Sequence, residues 1–310
     1  MTMSKVQENG WIIGQQEIAQ QTFLLRIRSP RIAGLARAGQ FAMLQVRDST
    51  DPLLRRPLSF HRIFPEEGTI EMLYRVVGRG TWLLSRCAAE TPLNLIGPLG
   101  NGFRVGGLGP EGHKGHKGHK GHQGNEGNEG NVLLIAGGIG IAPMFELMVQ
   151  LAAPKNSGGS GPVRLFYGAR TAAEMLPAKV FDGLGVTVHW STDDGSLGYH
   201  GYVTQLVRHV IEREGLRPAL IYSCGPLAMQ YHVAKWAAEV KVATQLSLES
   251  LMACGVGACL GCALPAVHPG GPSEDHYVHV CKDGPIFEAG SIQWHKIQMQ
   301  QMCPPTFLFS

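Results

Sequence analysis

Residues 253–262 read ACGVGACLGC, and another cysteine follows after eighteen further residues in the run VCKDGP. Cys254, Cys259 and Cys262 have the C-x4-C-x2-C spacing of plant-type [2Fe-2S] proteins, and Cys281 supplies a fourth thiolate. The glycines between them would let backbone amides approach the sulfur atoms and stabilise their negative charge. The sequence therefore predicts a [2Fe-2S] cluster held by these four cysteines.

A tetrahedral zinc site and a set of unliganded buried thiols are the alternatives for these cysteines. Structural zinc usually takes paired C-x2-C knuckles, and here only Cys259 and Cys262 form one. Buried thiols behave as small apolar side chains and have no reason to follow this spacing among glycines. A cluster is favoured, and it would also staple residues 245–293, a segment too short and too rich in loops to fold unaided.

The stretch before the cysteines alternates apolar strands with amphipathic helices. The strand runs are VLLIAGG, VRLFYGA, VTVHWST and ALIYSCG, and the helical runs are IAPMFELMVQLAA, TAAEMLPAKVFDGL, YVTQLVRHVIEREG and PLAMQYHVAKWAAEV. This alternation is typical of a parallel sheet covered by helices on both faces. It predicts an α/β nucleotide-binding domain over residues 132–244.

Glycine turns follow two of these strands. Gly137, Gly138 and Gly140 follow the first strand in IAGGIGIAP, and Cys224 and Gly225 follow the last in SCGP. Neither turn has the G-x-G-x-x-G dinucleotide pattern. Parallel sheets nevertheless bind ligands at the carboxyl ends of their strands, so a nicotinamide nucleotide is expected between the two turns. A tight strand-to-helix turn and a buried structural cysteine are the alternatives.

Two polar turns in the same domain have open roles. The turn Thr192-Asp193-Asp194-Gly195 could approach a ribose, although an ordinary polar turn is favoured. Arg170, at the end of the second parallel strand, could meet a phosphate or cap the helix predicted to follow.

The first third of the chain predicts a different architecture. Six β-rich runs, GWIIGQQEI, TFLLRIRS, QFAMLQV, PLSFHRI, TIEMLYRVV and PLNLIG, are separated by Gly, Pro and charged residues within residues 8–105. Their spacing indicates an antiparallel barrel, with one short helix over residues 80–88. Arg56 and the Gly78–Thr81 turn would supply a cation and free amides to a pyrophosphate, unless they are an ordinary strand and turn.

Residues 106–131 differ in kind from both domains. Glycine recurs every third residue and almost nothing there could join a core, so a disordered insertion is expected. A flexible polar linker is favoured over divalent metal binding for its spaced histidines, which are His113, His116, His119 and His122. Residues 294–310 are expected to form a tail.

Composition excludes several classes of protein. The net charge of +3 comes without any block of lysine or arginine, so nucleic acid is not an expected partner. Seven unevenly placed cysteines argue against a secreted disulfide framework. The longest apolar run, near residues 132–143, is too short to cross a bilayer, and no secretory signal precedes it. A cytoplasmic protein without membrane association is expected.

The barrel and the motifs RPLS, GRGT, GGIGIAP and CGP, in this order before the cysteines, make the chain similar to the ferredoxin-NADP reductase superfamily. It resembles more closely the electron-transfer subunits of class 1B dihydroorotate dehydrogenases. The likeness covers residues 8–293, with Leu251 where that family has arginine. The motifs that carry it are LRRPLS (54–59), LYR (73–75), GRGT (78–81), IGPLGNGF (96–103), TDDGS (192–196) and LESLMACGVGACLGC (248–262).

The resemblance implies three redox components and a partner. These are an FAD in the barrel, the [2Fe-2S] cluster on the four cysteines, and NAD as substrate. The partner would be an FMN-containing dihydroorotate dehydrogenase catalytic subunit, joined in a heterotetramer that serves pyrimidine (UMP) biosynthesis. The residues implied to hold the FAD are Arg56, Pro57, Leu58, Ser59, Leu73, Tyr74, Arg75, Gly80 and Thr81.

Under this hypothesis the flavin exchanges a hydride with the nicotinamide and single electrons with the cluster, and no side chain acts as a catalytic acid or base. The alternative is an NAD(P)H reductase subunit of another complex, serving ferredoxin, a hydrogenase or a sulfur reductase. A zinc-binding interaction module is the alternative from a different class.

Overall fold

Residues 5–105, 130–153, 161–268 and 275–297 are described by a computed structural model, and the histidines of the 106–131 insertion lie outside these ranges. Six antiparallel strands close the predicted barrel in the order β1-β2-β5-β4-β3-β6. Ile12, Leu25 and Phe60 are fully buried and fill its interior. The strands are β1 (Val6–Ala19), β2 (Thr22–Arg28), β3 (Phe41–Gln45), β4 (Arg56–Phe64), β5 (Thr69–Arg75) and β6 (Pro92–Leu99).

Two short helices flank the barrel. Helix α1 (Pro30–Leu35) begins with Pro30, whose fixed φ suits the first helical position. Helix α2 (Arg79–Leu84) is the helix predicted between the last two strands, but it is shorter than the expected 80–88 span. The amides of Arg86 and Cys87 bond three residues back, and this tightening of the chain ends the helix.

The second domain confirms the predicted parallel sheet. Seven strands lie in the order β10-β9-β8-β7-β11-β12-β15, and all neighbours are parallel except β12 and β15. Helices α3 (Ile141–Ala152), α4 (Val203–Glu214) and α5 (Leu227–Val240) cover the sheet. The strands are β7 (Asn131–Gly137), β8 (Val163–Ala169), β9 (Thr187–Thr192), β10 (Tyr199–His200), β11 (Pro218–Cys224), β12 (Ala243–Ser247) and β15 (Ile286–Glu288).

The helix expected from TAAEMLPAKVFDGL does not form, and that prediction is wrong. Two single 3₁₀ turns, Ala172–Glu174 and Ala178–Phe181, occupy the segment instead. Pro177 separates them, because proline lacks an N–H donor and disfavours helical dihedrals at the residue before it. Met175 and Leu176 are buried by this extended connection, so the apolar pattern was correct although the secondary structure was not.

The cysteine-rich segment is built onto the large sheet. Strands β13 (Ala263–Ala266) and β14 (His276–His279) form a small antiparallel pair, and β15 then returns to pair with β12. The expected boundary at Gln245 therefore falls inside β12. Residues 294–297, the first part of the expected tail, pack against the protein. Trp294 donates a hydrogen bond to the carbonyl of Ala289, and Ile297 is buried.

The core is continuous across the three parts of the molecule. One cluster of buried side chains includes Met43 and Leu99 of the barrel, Leu133 of the large sheet, and Cys262 and Cys281. Barrel, sheet and cysteine segment therefore share packing instead of meeting through linkers alone. No helix within the described ranges is long and apolar enough to span a membrane.

Candidate functional site

A cavity of about 970 Å³ opens where the barrel meets the carboxyl edge of the parallel sheet. The predicted glycines Gly137, Gly138, Gly140 and Gly225 all line it. Its volume and its place at the strand ends suit a nucleotide-sized ligand. Other lining residues include Arg75, Gly168, Arg170, Glu174, Asp193, Gln205, Arg208, Met229, His232 and Glu249.

Two of these glycines are required by close backbone contact. A Cβ atom at Gly140 would overlap the carbonyl of Cys224, so the turns after β7 and β11 touch only because Gly140 has no side chain. Gly225 has a φ of 156° and faces the backbone of Gly137. The crossing of the two turns forms the floor of the cavity, at the position that the sequence predicts for a nicotinamide nucleotide.

Cys224 differs from its expected position. Its side chain is 1% exposed and is absent from the residues that line the cavity, so the thiol does not face the crevice. Burial raises the pKa of Cys224 well above its usual range, which keeps the thiol neutral. The backbone of Cys224, rather than its sulfur, contributes to the site through the contact with Gly140.

The two aspartates of the turn Thr192-Asp193-Asp194-Gly195 have separate roles. Asp194 accepts hydrogen bonds from the backbone N–H and the hydroxyl of Ser196, at 2.9 and 2.6 Å, so it organises the turn. Asp193 lines the cavity. The sequence favoured an ordinary turn here, and only Asp194 fits that description.

A carboxylate that the sequence analysis missed joins the two domains at the mouth of the cavity. Glu174 accepts from Arg75 of β5 at 2.6 Å and from Arg170 at 2.7 Å. The Arg75 guanidinium, and to a smaller extent that of Arg170, lowers the pKa of Glu174 to about 2. The Glu174 carboxylate therefore stays ionised. Arg170 therefore does not cap a helix, and its charge is paired with that of Glu174.

Glu249 is a second missed carboxylate. It lines the cavity five positions before Cys254. It stands in the motif that contains the cysteines, and no spacing or repeat in that motif marks it as a site residue. A carboxyl group here connects the nucleotide cavity with the start of the cysteine loop.

Arg56 and Gly80, which the sequence analysis pairs as part of a flavin site, are in contact. The Arg56 guanidinium lies where a Cβ atom of Gly80 would stand, against the first turn of α2. Arg55 instead binds the backbone of Asn94 at 2.8 Å and belongs to the barrel wall. A cation above free helical amides fits the pyrophosphate of a dinucleotide, so the residues present fit an FAD.

Two other residues expected at the flavin site, Tyr74 and Thr81, already make hydrogen bonds within the protein. Tyr74 is buried, and its hydroxyl donates to Gln15 at 2.8 Å inside the barrel. Thr81 accepts from the amides of Val77 and Gly78 and shapes the turn before α2. Leu73 is buried, while Pro57, Leu58 and Ser59 lie on the strand that begins with Arg56. The side chain of Tyr74 is thus structural, and Thr81 organises the turn.

The loop that carries the first cysteines is preorganised around sulfur. The amides of Val256, Ala258 and Cys259 all point to the sulfur of Cys254, at 3.3–3.4 Å. Burial acts to raise the pKa of Cys254, but these donors outweigh it and bring the pKa to about 6. The loop can turn this way because Gly255 and Gly257 have positive φ values of 72° and 84°.

The second pair of cysteines meets across the β13–β14 hairpin. The sulfur atoms of Cys262 and Cys281 are 3.3 Å apart, and the amide of Gly257 donates to Cys281 at 3.1 Å. Cys259 is exposed on the loop surface. Within the described part of the chain, no three cysteine, histidine or carboxylate side chains converge as ligands of a metal ion. Amides directed at thiolates are the donors expected around an iron-sulfur cluster, so the loop fits one.

Family comparisons agree with this division of the chain. The family described as "Iron-sulfur cluster binding domain of dihydroorotate dehydrogenase B" matches residues 249–293. The family "Oxidoreductase NAD-binding domain" matches residues 134–235. The two matches cover the cysteine segment and the sheet that lines the cavity.

The closed barrel and the parallel sheet define a flavoprotein oxidoreductase of the ferredoxin reductase fold. A solved structure of NADH-dependent reduced ferredoxin-NADP oxidoreductase, described for flavin-based electron bifurcation, superposes with a TM-score of 0.73 at 26% identity, covering 94% of this chain and 92% of that one. The predicted fold class is confirmed.

Two curated relatives identify the family. One is a dihydroorotate dehydrogenase B (NAD(+)) electron transfer subunit from Desulforamulus reducens, 35% identical over 94% of this chain and 100% of the relative. Another, of the same name, is from Geobacillus thermodenitrificans, 36% identical over 91% of this chain and 96% of the relative. The chain belongs to the family of dihydroorotate dehydrogenase B (NAD(+)) electron transfer subunits, which confirms the resemblance found in the sequence.

Proposed function

We propose that this chain carries electrons between the FMN of a dihydroorotate-oxidising partner subunit and NAD, in the synthesis of pyrimidines. The observation that carries the proposal is that one barrel contacts both candidate redox sites. Arg75 of the barrel lines the nucleotide cavity, and Met43 of the barrel packs on Gly255 in the cysteine loop. A flavin on this barrel would lie between a nucleotide and a cluster.

The overall reaction balances without another oxidant. Dihydroorotate loses two electrons and two protons to become orotate on the partner. NAD⁺ takes up the two electrons and one proton as a hydride in the cavity, and the second proton goes to solvent. When bound, FAD would supply hydride exchange with the nicotinamide and the cluster would supply one-electron exchange with the partner. This chain then needs binding and positioning groups, and no side chain that moves a proton.

The residues present would divide this work among three places. Arg56 and the first amides of α2 would hold the FAD pyrophosphate, since the Arg56 guanidinium lies against Gly80 in the first turn of α2. The crossed turns at Gly137–Gly140 and Gly225 would admit the nicotinamide nucleotide to the cavity floor. Cys254, Cys259, Cys262 and Cys281 would ligate the cluster, with backbone amides stabilising their thiolates.

The partner is proposed to be an FMN-containing catalytic subunit that forms a heterotetramer with two copies of this chain. The exposed position of Cys259 and the 91% exposure of Leu251 support contact on the cysteine-loop face. The free thiols at the described cysteines suit a reducing compartment, and we propose the cytoplasm as the place of action.

Co-expression with a candidate FMN subunit tests the function. The complex is purified anaerobically, its flavins and iron are quantified, and NAD reduction by dihydroorotate is followed. We expect the complex to reduce NAD, and the FMN subunit alone to oxidise dihydroorotate only with an artificial acceptor. A Cys281→Ser complex should keep that artificial reaction and lose NAD reduction.

Two results would contradict the proposal. A complex with both flavins and the cluster that reduces ferredoxin but not NAD would assign the chain to another reductase. A colourless protein containing zinc would remove the redox role altogether. The mass of the complex in solution, measured on the same preparation, tests the heterotetramer.

A further inference from the structure

Asn101 connects the barrel to the segment that follows the last cysteine. It lies just beyond the end of β6, in the IGPLGNGF run of residues 96–103, and it faces residues 283–286. Its backbone N–H donates to the carbonyl of Gly284 at 2.6 Å. No role for this residue follows from the flavin, nucleotide or cysteine sites described above.

Both the nitrogen and the oxygen of the Asn101 side-chain amide form hydrogen bonds with that segment. Its amide nitrogen donates to the carbonyls of Asp283 at 2.9 Å and Ile286 at 3.0 Å. Its amide oxygen accepts from the backbone N–H of Ile286 at 2.9 Å. With the backbone bond to Gly284, four hydrogen bonds from one residue hold three of the four positions 283–286, namely Asp283, Gly284 and Ile286.

The backbones at this junction are too close for a larger residue. Gly100 has a φ of 69°, and a Cβ atom there would stand 2.5 Å from the carbonyl oxygen of Gly284. Gly39, on the other side, would meet Phe103 and Ile286 in the same way. The rim of the barrel and residues 284–286 therefore meet in one register only.

The held segment directly follows the turn that carries Cys281. The amides of Lys282 and Asp283 bond back to the carbonyl of His279, so Cys281 lies in a tight turn between β14 and the segment bound by Asn101. Its sulfur in turn lies 3.3 Å from that of Cys262. Moving residues 283–286 against the barrel would therefore move the Cys262 and Cys281 side of the proposed cluster site.

We propose that Asn101 is the positioning residue that fixes the cysteine segment, and hence the cluster, at a set distance from the flavin barrel. This inference rests on the proposed function, because it concerns electron passage between two groups that this chain would hold. Asn101 touches neither group, and it acts through the backbone of residues 283–286. The barrel itself is closed by pairing among β1 to β6, so its closure does not depend on Asn101.

The test compares three variants of the full-length holoprotein. Asn101→Ala removes the three side-chain bonds, and Asn101→Asp keeps the acceptor for Ile286 but places a carboxylate against two carbonyls. Asn9→Ala is the matched control, because it also removes an asparagine hydrogen bond from the barrel, that with Asn94, away from residues 283–286. Iron and FAD contents are measured for each protein before use.

Two measurements test whether Asn101 positions the cysteine segment and the cluster. Hydrogen exchange of the peptide covering residues 281–288 should become at least about tenfold faster in Asn101→Ala, since this variant loses all three side-chain hydrogen bonds to the segment. After mixing with NADH, flavin reduction should keep its rate, while cluster reduction followed by freeze-quench EPR should slow about tenfold or more. Asn101→Asp should change both in the same direction, and Asn9→Ala should change neither.

Each remaining outcome has a defined meaning. If cluster reduction and the exchange of residues 281–288 are unchanged in both Asn101 variants, Asn101 does not position the cluster. Equal slowing of flavin and cluster reduction with loss of FAD would also overturn the inference, since it would indicate a general role in the barrel. If Asn101→Ala does not fold, the Asp variant decides by the same criteria. A wild-type protein without flavin or cluster would instead refute the proposed function.

Discussion

Arg75 and Glu174 lie 2.6 Å apart, and this ion pair joins the antiparallel barrel to the parallel sheet. Arg75 belongs to β5, whereas Glu174 closes a 3₁₀ turn after β8. Beside it, the amide of Gln20 in the barrel donates to the carbonyl of Ala173 at 2.9 Å. The two domains are therefore fixed to each other at the mouth of the cavity, where a flavin and a nucleotide would have to meet.

Replacing Glu174 with Gln should destabilise the protein by about 1–3 kcal/mol, because Arg75 and Arg170 then lose their shared counter-charge. Chemical denaturation of the two proteins at neutral pH measures the difference. Glu67→Gln is the control, since its pair with Arg26 is much more exposed and should contribute no more than about 1 kcal/mol. Equal losses of stability in both variants would show that the ion pair between the domains stabilises the protein no more than an exposed ion pair does.

Glu174 should also make the stability of the protein depend on pH. Its pKa is about 2 in the folded protein and near 4.5 in the unfolded chain. Its contribution to the free energy of unfolding is therefore fully present above pH 4.5 and is lost as the pH falls toward 2. The stability of Glu174→Gln should therefore fall less than that of the wild type between about pH 5 and pH 2. Parallel stability curves over this range would contradict the ion pair.

His61 should make the protein sensitive to milder acid. Burial between β4 and α3 lowers its pKa to about 4, and its ring donates to the carbonyl of Ala142. The unfolded chain therefore binds the proton more readily, and stability falls as pH drops from 6.5 toward 4, by roughly 3 kcal/mol in all. His61→Phe keeps a ring against Phe145 and should flatten this part of the pH curve, measured by thermal unfolding.

The control for His61 is His209→Phe, an aromatic replacement at an exposed position on α4. It should leave the wild-type pH dependence unchanged. A His61→Phe protein whose stability falls as steeply as the wild type between pH 6.5 and 4 would assign that loss to other groups.

Gly80→Ala tests the flavin site without altering a charged group. The new methyl group would displace the flexible end of Arg56 from the first turn of α2. We expect about tenfold weaker FAD binding, the equivalent of one charge-assisted hydrogen bond. Titration of apoprotein with FAD, followed by flavin fluorescence, gives the affinity. Gly34→Ala, with open space around the new atom, should bind FAD as the wild type does.

Cys281→Ser should remove the iron-sulfur absorption while the protein keeps its FAD. The reason is that Cys281 follows β14 in the cysteine segment, whereas the residues proposed to hold the flavin lie on β4, β5 and α2 of the barrel. Visible spectra and iron content of anaerobically purified protein measure the effect. Cys87→Ser, at a half-buried cysteine outside the cluster segment, should retain both. Full iron content in Cys281→Ser would disprove its role as a ligand.

Local patterns were sufficient for most of the architecture. The period of apolar residues identified the six barrel strands and the parallel strands β7, β8, β9 and β11, because each must bury one or both faces. It failed in the segment after Arg170, where Pro177 prevents a helix although the apolar spacing permits one. The short strand β15 escaped notice because its pairing partner β12 lies about forty residues away along the chain.

The sequence by itself determined the order of the parts, the cysteines of the proposed cluster and the glycine turns of the cavity, since spacing and backbone freedom are properties of the local chain. Only the tertiary structure decided which polar groups serve each site. It buried the thiol of Cys224 and the ring of Tyr74, and it brought Glu174 to Arg75 and Asn101 to residues 283–286. Those contacts join residues about 100 and 180 positions apart, and no periodic pattern records them because they depend on how whole domains pack.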